Sequence, residues 1–179
     1  MDIGVISVRY ARALLRSAMD ANIEEKVYRE MLLVIKSYSE VPALRQTIDN
    51  PMLSKDKKQM LLETTVGGDE ASALSKAFIS LVLKEDRESM MQFIAHSYIT
   101  LYRKQKNIIR GKLTTAVAVS PEMESKMRQM VESKTQGTVE FETEVNPDIV
   151  GGFILEYDTY RMDASVKTKL NNILNTLKK

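Results

Sequence analysis

Hydrophobic residues recur every three or four positions across residues 1–105 and every second position soon afterwards, the change falling near residues 105–111. The first segment predicts a helix with Ile6, Tyr10, Ala13, Leu14 and Ser17 on one side and Ala11, Leu15 and Ala18 beside them. Its apolar arc is wide and its residues are small, which predicts contact on more than one side. A second helix, roughly residues 23–38, repeats Val27, Met31, Val34 and Tyr38, with Tyr28, Leu32 and Ile35 adjacent. Pro42 ends that run, and Asn50-Pro51 punctuates again after a short helix holding Leu44 and Ile48. Ser54 is placed to cap a fourth helix through Met60, Leu61 and Leu62, which Gly67-Gly68 closes. Asp69 is placed to cap a fifth through Leu74, Phe78, Leu81 and Val82. The sixth, about residues 88–105, carries Met90, Ile94, Ser97, Tyr98 and Leu101 at helical spacing.

From Arg110 the period drops to two. Leu113, Thr115, Val117 and Val119 alternate with Lys112, Thr114, Ala116 and Ala118, predicting a strand bounded by Gly111. Ser120-Pro121 is a helix start, Ser as cap and Pro at the first helical position, and Glu122 and Glu124 favour the positive helix end. That helix runs to about Lys134 and ends before Gly137. Val139, Phe141, Thr143 and Val145 form a second strand with Glu140, Glu142 and Glu144 on its other face. The Asn146-Pro147-Asp148 turn and Gly151-Gly152 lead to a third strand over residues 153–157, which Asp158-Thr159 turns into a short return strand over 160–162. Asp163 or Ser165 opens a last helix with Val166, Leu170, Ile173, Leu174 and Leu177 on one stripe. The fold class expected is α+β: an N-terminal six-helix bundle, residues 1–105, then a small β-α-β-β-β-α domain, residues 106–179.

Composition narrows the chemistry. The chain has no Cys, no Trp and one His, which excludes disulfides, thiolate metal sites and a multi-histidine centre within one subunit. Residues 1–105 hold 15 basic and 14 acidic side chains and residues 106–179 hold 11 and 10, so each part is +1. Neither is a polybasic surface for nucleic acid or lipid. No stretch reaches the ~18 apolar residues that cross a bilayer, and Asp2 stands where a signal peptide needs basic residues.

The individual motifs read as structural. His96 has no oriented partner or nucleophile and reads as a helix-surface residue. The glutamate ladder spaces same-face carboxylates ~6.7 Å apart, too far to close on one cation, and reads as a solvated face. Gly151-Gly152 precedes a strand rather than the helix a phosphate loop needs. Ser54-Lys55-Asp56-Lys57-Lys58, the densest basic cluster, lacks aromatic platforms and reads as a solvated helix start. Most of the 11 methionines read as core filling, with Met90, Met91, Met127 and Met130 as candidates for a contact surface.

Taken in order, several stretches resemble one family, the δ subunit of F-type ATP synthases, the bacterial relative of the mitochondrial oligomycin-sensitivity-conferring protein. Arg9-Tyr10-Ala11-Arg12-Ala13-Leu14-Leu15 resembles its first helix. Asn50-Pro51 with Ser54, Lys57 and Lys58 resembles its "P-x-x-S-x-x-x-K" helix start. Residues 78–87 with Ile94, Tyr98 and Leu101 resemble "F-x-x-L-V … R … I … Y-x-x-L", and Leu113-Thr114-Thr115-Ala116 is similar to "V-x-T-A". The C-terminal signature "D-P-x-L-I-G-G-F … D-x-S-x-x-x-x-L … L" is matched by Asn146-Pro147-Asp148-Ile149-Val150-Gly151-Gly152-Phe153, then Asp163, Ser165, Leu170 and Leu177. Asn146 stands for the usual Asp, Asp163-Ala164-Ser165 lacks the central Gly, and Glu85-Asp86-Arg87 replaces Asn-Gly-Arg, which puts the turn after the fifth helix in question.

The resemblance implies a non-catalytic stator subunit without cofactor, present as one monomeric copy. Its helical bundle would grip the N-terminal helix of an α subunit atop the catalytic head, between the first and fifth helices. On this numbering those contacts are Tyr10, Ala13, Leu14 and Ser17, with Phe78, Leu81 and Val82 opposite. Its C-terminal domain would hold the b subunits of the membrane sector, here around Phe153, Leu170, Leu174 and Leu177. The joint would resist rotor torque during proton-driven ATP synthesis on the cytoplasmic side of a bacterial cell membrane, with membrane association only through the complex. The alternative class is a helical RNA-binding factor of the antitermination type, which needs a basic stripe on the bundle.

Overall fold

The computed structural model describes residues 3–135, 137–157 and 159–177. Met1 and Asp2, which bear on the signal-peptide reading, and Asp158 of the expected turn lie outside them. The protein is α+β and divides into two compact units, residues 1–104 and 105–179.

The first unit is built from α1 (Ile3–Asp20), α2 (Glu24–Glu40), α3 (Ala43–Asp49), α4 (Lys55–Thr65), α5 (Ala73–Lys84) and most of α6 (Met91–Lys106). Ala11 and Ala18 of α1, Val27, Met31 and Val34 of α2, Ile48, Leu62, Ile79, Val82, Ile94 and Tyr98 are almost completely buried. Burying the valine, leucine, isoleucine and methionine side chains among them is worth about 1.5–3 kcal/mol each, which holds short helices together that would not persist alone. Stacked Tyr28 and Tyr102, with ring centroids 4.4 Å apart, pin α6 to α2.

Two expected caps change. Asp69 is taken up by a 3-10 turn (Gly68–Glu70), and Ser72 caps α5 instead, its side chain accepting from the Ser75 N–H at 3.2 Å. Ser54 has the extended backbone of a cap residue, but its side chain makes no capping bond. The sixth helix begins as a 3-10 turn (Glu88–Met90) before becoming α-helical. After α5 the turn is closed in the usual way although glycine is missing. Asp86 takes the left-handed conformation, φ 53, and the Arg87 N–H reaches the Val82 carbonyl at 2.9 Å.

The second unit contains β1 (Ile108–Thr115), α7 (Pro121–Thr135), β2 (Thr138–Val145), β3 (Phe153–Tyr157), β4 (Tyr160–Asp163) and α8 (Val166–Leu177). Sheet order is β2-β1-β3-β4. β1 runs parallel to β2, with α7 as the crossover, and antiparallel to β3, which pairs antiparallel with β4. β1 starts two residues before Arg110, directly after Asn107 (φ 52), and stops at Thr115 rather than Val119. It stops there because its neighbour ends: Thr115 pairs with Val145, the Asn146 N–H then turns onto the Thr115 carbonyl at 2.7 Å, and residues 116–119 have no strand to join. Leu113, Val131, Val139 and Leu155 form the unit's core, flanked by Ile109, Met127, Met130, Phe141, Phe153 and Tyr157. Gly111 is glycine because the Phe141 ring lies across it, 2.5 Å from where a β-carbon would stand.

Candidate functional site

α1 and α5 bound an open hollow of about 530 Å³ lined by Arg9, Tyr10, Ala13, Leu14 and Ser17 from one helix and Leu74, Ala77, Phe78, Leu81 and Glu85 from the other. Leu14 and Phe78 are buried and form its base, whereas Ala13, Ser17, Ala77 and Leu81 are exposed, Leu81 by 47%. Tyr10 meets Phe78 edge-on, with centroids 6.3 Å apart and planes at 70°. Small side chains on both helices leave the width, and leucines supply apolar contact on the α5 side. Six of the seven residues expected at a first-to-fifth-helix contact line this hollow. Val82 does not: it faces the core and is fully buried. α1 also exposes Ile3, Val5 and Val8.

The position of α5 depends on a residue that local sequence pattern does not reveal. Glu30 of α2 is buried and accepts from the Ser72 N–H at 2.6 Å, the Ser72 hydroxyl at 2.7 Å and the Ser75 hydroxyl. A carboxylate at a helix N-terminus satisfies otherwise unpaired N–H groups and suits the helix dipole. Its partners lie 42 and 45 residues away, so no local motif could have disclosed it.

In the second unit α8 has no buried residue. Val166, Leu170, Ile173, Leu174 and Leu177 are all exposed, the last four by 49–78%. The helix is held at its start. The Ser165 hydroxyl accepts from the Thr168 N–H at 3.2 Å, while Asp163 accepts from the Ser165 N–H and the Thr168 hydroxyl, both at 2.9 Å. These bonds, led by those from Ser165, hold the Asp163 carboxyl below its usual 3.8. The Val166 N–H also bonds the Gly151 carbonyl at 2.9 Å. Gly152 (φ 75) faces the Ala164 carbonyl, where a β-carbon would collide, so both glycines serve this junction. Of the expected residues, Leu170, Leu174 and Leu177 share the open stripe, and Ile173 belongs with them. Phe153 instead packs against the core and lines a separate hollow of about 540 Å³ with Val117, Met123 and Val150.

The remaining motifs resolve as structure, with one correction. His96 is exposed on α6. Glu142 and Glu144 pair across the sheet with Arg110 and Lys112 at 2.8 and 2.7 Å. Lys58 is not solvated: it is buried and pairs with Glu88 at 2.8 Å, and neighbouring Lys55 pairs with Asp86 at 2.6 Å. Asp86, in the left-handed position after α5, and Glu88, at the start of the 3-10 turn, are the acids that reach these lysines of α4. Met91 is core, and Met127 and Met130 pack on the sheet. Among the described residues, no group of three or more His, Asp or Glu could hold a metal ion, and no helix is long and apolar enough to cross a membrane.

Apolar helix faces left open in both units are the kind of surface through which a scaffolding protein meets other chains. The model of the ATP synthase delta (OSCP) subunit matches residues 6–177. The chain is 47% identical over 173 residues to the ATP synthase subunit delta of Phocaeicola vulgatus, covering 97% of this chain and 94% of that one. It is 31% identical over 179 residues to the subunit delta of Enterococcus hirae, covering 99% and 98%. A chain of the Toxoplasma gondii mitochondrial ATP synthase hexamer shares the fold, with a TM-score of 0.67, 23% identity and 97% coverage of each chain. The chain belongs to the ATP synthase delta (OSCP) subunit family. It is a non-catalytic peripheral-stalk subunit that serves ATP synthesis and ion transport, associated with the membrane through its complex. The RNA-binding alternative finds no support among these relatives.

Proposed function

We propose that residues 1–105, as a six-helix bundle, hold the N-terminal helix of an α subunit between α1 and α5. Residues 106–179 hold the b subunits through α8 and the adjoining strand. One monomeric copy then joins catalytic head to membrane sector on the cytoplasmic side of a bacterial cell membrane and resists rotor torque during proton-driven synthesis.

The observation that carries this reading is the shared hollow lined by Tyr10, Ala13, Leu14, Ser17, Phe78 and Leu81. A helix packs 8–10 Å from its neighbours, and only small side chains permit that approach on both walls. Ala13, Ser17 and Ala77 supply them, while Leu74 and Leu81 give an incoming aliphatic face something to bury. Arg9 and Glu85 on the lining add one charge of each sign, which helps fix the register of a bound helix. Titrating the full chain calorimetrically with a peptide of the first ~20 residues of the cognate α subunit, a helix of ~30 Å, tests the assignment. Saturable one-to-one binding with heat-capacity loss is expected. A folded chain that gives no binding heat at several temperatures contradicts it.

A further inference from the structure

The apolar stripe of α8 is spaced 4-3-4 through Val166, Leu170, Ile173 and Leu177, and Leu174 widens it on one side. That is the seam of a two-helix packing, in which the residues bordering the seam meet the partner's charges. The bordering positions here hold Lys167 on one side and Lys169 on the other, while Asn171, Asn172 and Asn175 occupy the far face.

These lysines are unexplained by the fold. Both are exposed in the first turns of α8, where the helix dipole disfavours cations, and among the described residues neither makes an ion pair. Residues 164–179 contain four lysines and no Asp or Glu. An aliphatic seam edged by unanswered positive charge selects its complement.

We infer that the partner of α8 is a helix with an aliphatic heptad seam whose bordering positions carry carboxylates facing Lys167 and Lys169. This rests on the reading that α8 is the b-binding face, and adds the chemistry of the partner. A lipid surface is the poorer fit, since the apolar arc spans only about 100°, too narrow to sink a helix, and α8 has no aromatic residue.

The full chain is titrated with the soluble part of b, and separately with two synthetic heptad-repeat helices bearing Glu or Lys at the bordering positions. Phosphatidylcholine–phosphatidylglycerol vesicles form a further arm. Lys167→Glu/Lys169→Glu is the variant. Both changes lie on exposed positions and suit the helix dipole, so the fold is retained, which circular dichroism checks. The wild type should bind b and prefer the Glu peptide by tenfold or more, on the order expected for two reversed rim pairs, and lose that preference in high salt. The variant should weaken b by a similar factor and prefer the Lys peptide. If b binds both proteins equally, the inference falls while the b assignment stands. If b does not bind but the Glu peptide is preferred, the b assignment falls and the inference stands. Equal binding of the two peptides, or capture by vesicles alone, overturns the inference.

Discussion

Tyr10 and Phe78 meet edge to face, 6.3 Å between centroids, and so tie α1 to α5 at the base of the hollow between them. One ring from each helix fixes their separation, while exposed Ala13 and Ser17 keep the space above free. Edge-to-face pairs contribute about 0.5–1.5 kcal/mol beyond their burial, so this contact shapes the hollow as well as filling the core.

Filling that space should remove binding and spare folding. Ser17→Trp places an indole in the hollow from an exposed position, so stability should stay within about 0.5 kcal/mol of wild type. Affinity for the α-subunit peptide should fall by at least tenfold in calorimetry.

Val82 should behave in the opposite way. Deleting its two methyl groups by Val82→Ala leaves a cavity in a fully buried site and should cost about 2 kcal/mol in denaturant unfolding. The folded fraction should bind the peptide with nearly unchanged affinity. A large affinity loss at full folding would return Val82 to the contact surface.

Asp86 holds a left-handed conformation, φ 53, where glycine is at ease. Asp86→Gly should therefore raise stability by about 0.5–1 kcal/mol, a shift of a few degrees in Tm. The exposed ion pair it loses with Lys55 offsets little of this.

The cap of α8 sets an acid limit. Asp163 is held below its usual 3.8 by bonds from Ser165 and Thr168. Its contribution is therefore fully present above that value and disappears as pH falls through the depressed one. Asp163→Asn should flatten this acid-side dependence of unfolding. Ser165→Ala should cost about 1 kcal/mol, read in the same unfolding curves.

Much of this was legible because the governing signals are local. The change of period separated the helical stretches from the alternating ones, and Ser120-Pro121 and the Asp163 or Ser165 start marked helix beginnings from their own neighbourhoods, whereas the 3-10 turns at 68–70 and 88–90 left no such signal. What escaped depends on distant partners. The end of β1 at Thr115 is set by Val145, the partner of Lys58 lies 30 residues away in Glu88, and Glu30 finds Ser72 across the unit. The hollow was largely readable because helical spacing alone puts Tyr10, Ala13, Leu14 and Ser17 on one side. Periodicity cannot tell which of two adjacent apolar positions turns inward: Leu81 and Val82 were both expected at the contact, and Leu81 lines the hollow with Phe78 while Val82 turns into the core.

The central claim is that one chain holds a helix at each end at once. Analytical ultracentrifugation of the full chain with a dye-labelled α-subunit peptide and a differently labelled soluble b tests it directly. Both labels should sediment in a single boundary with the chain. Displacement of one label by the other, or failure of either to sediment with the chain, would contradict it.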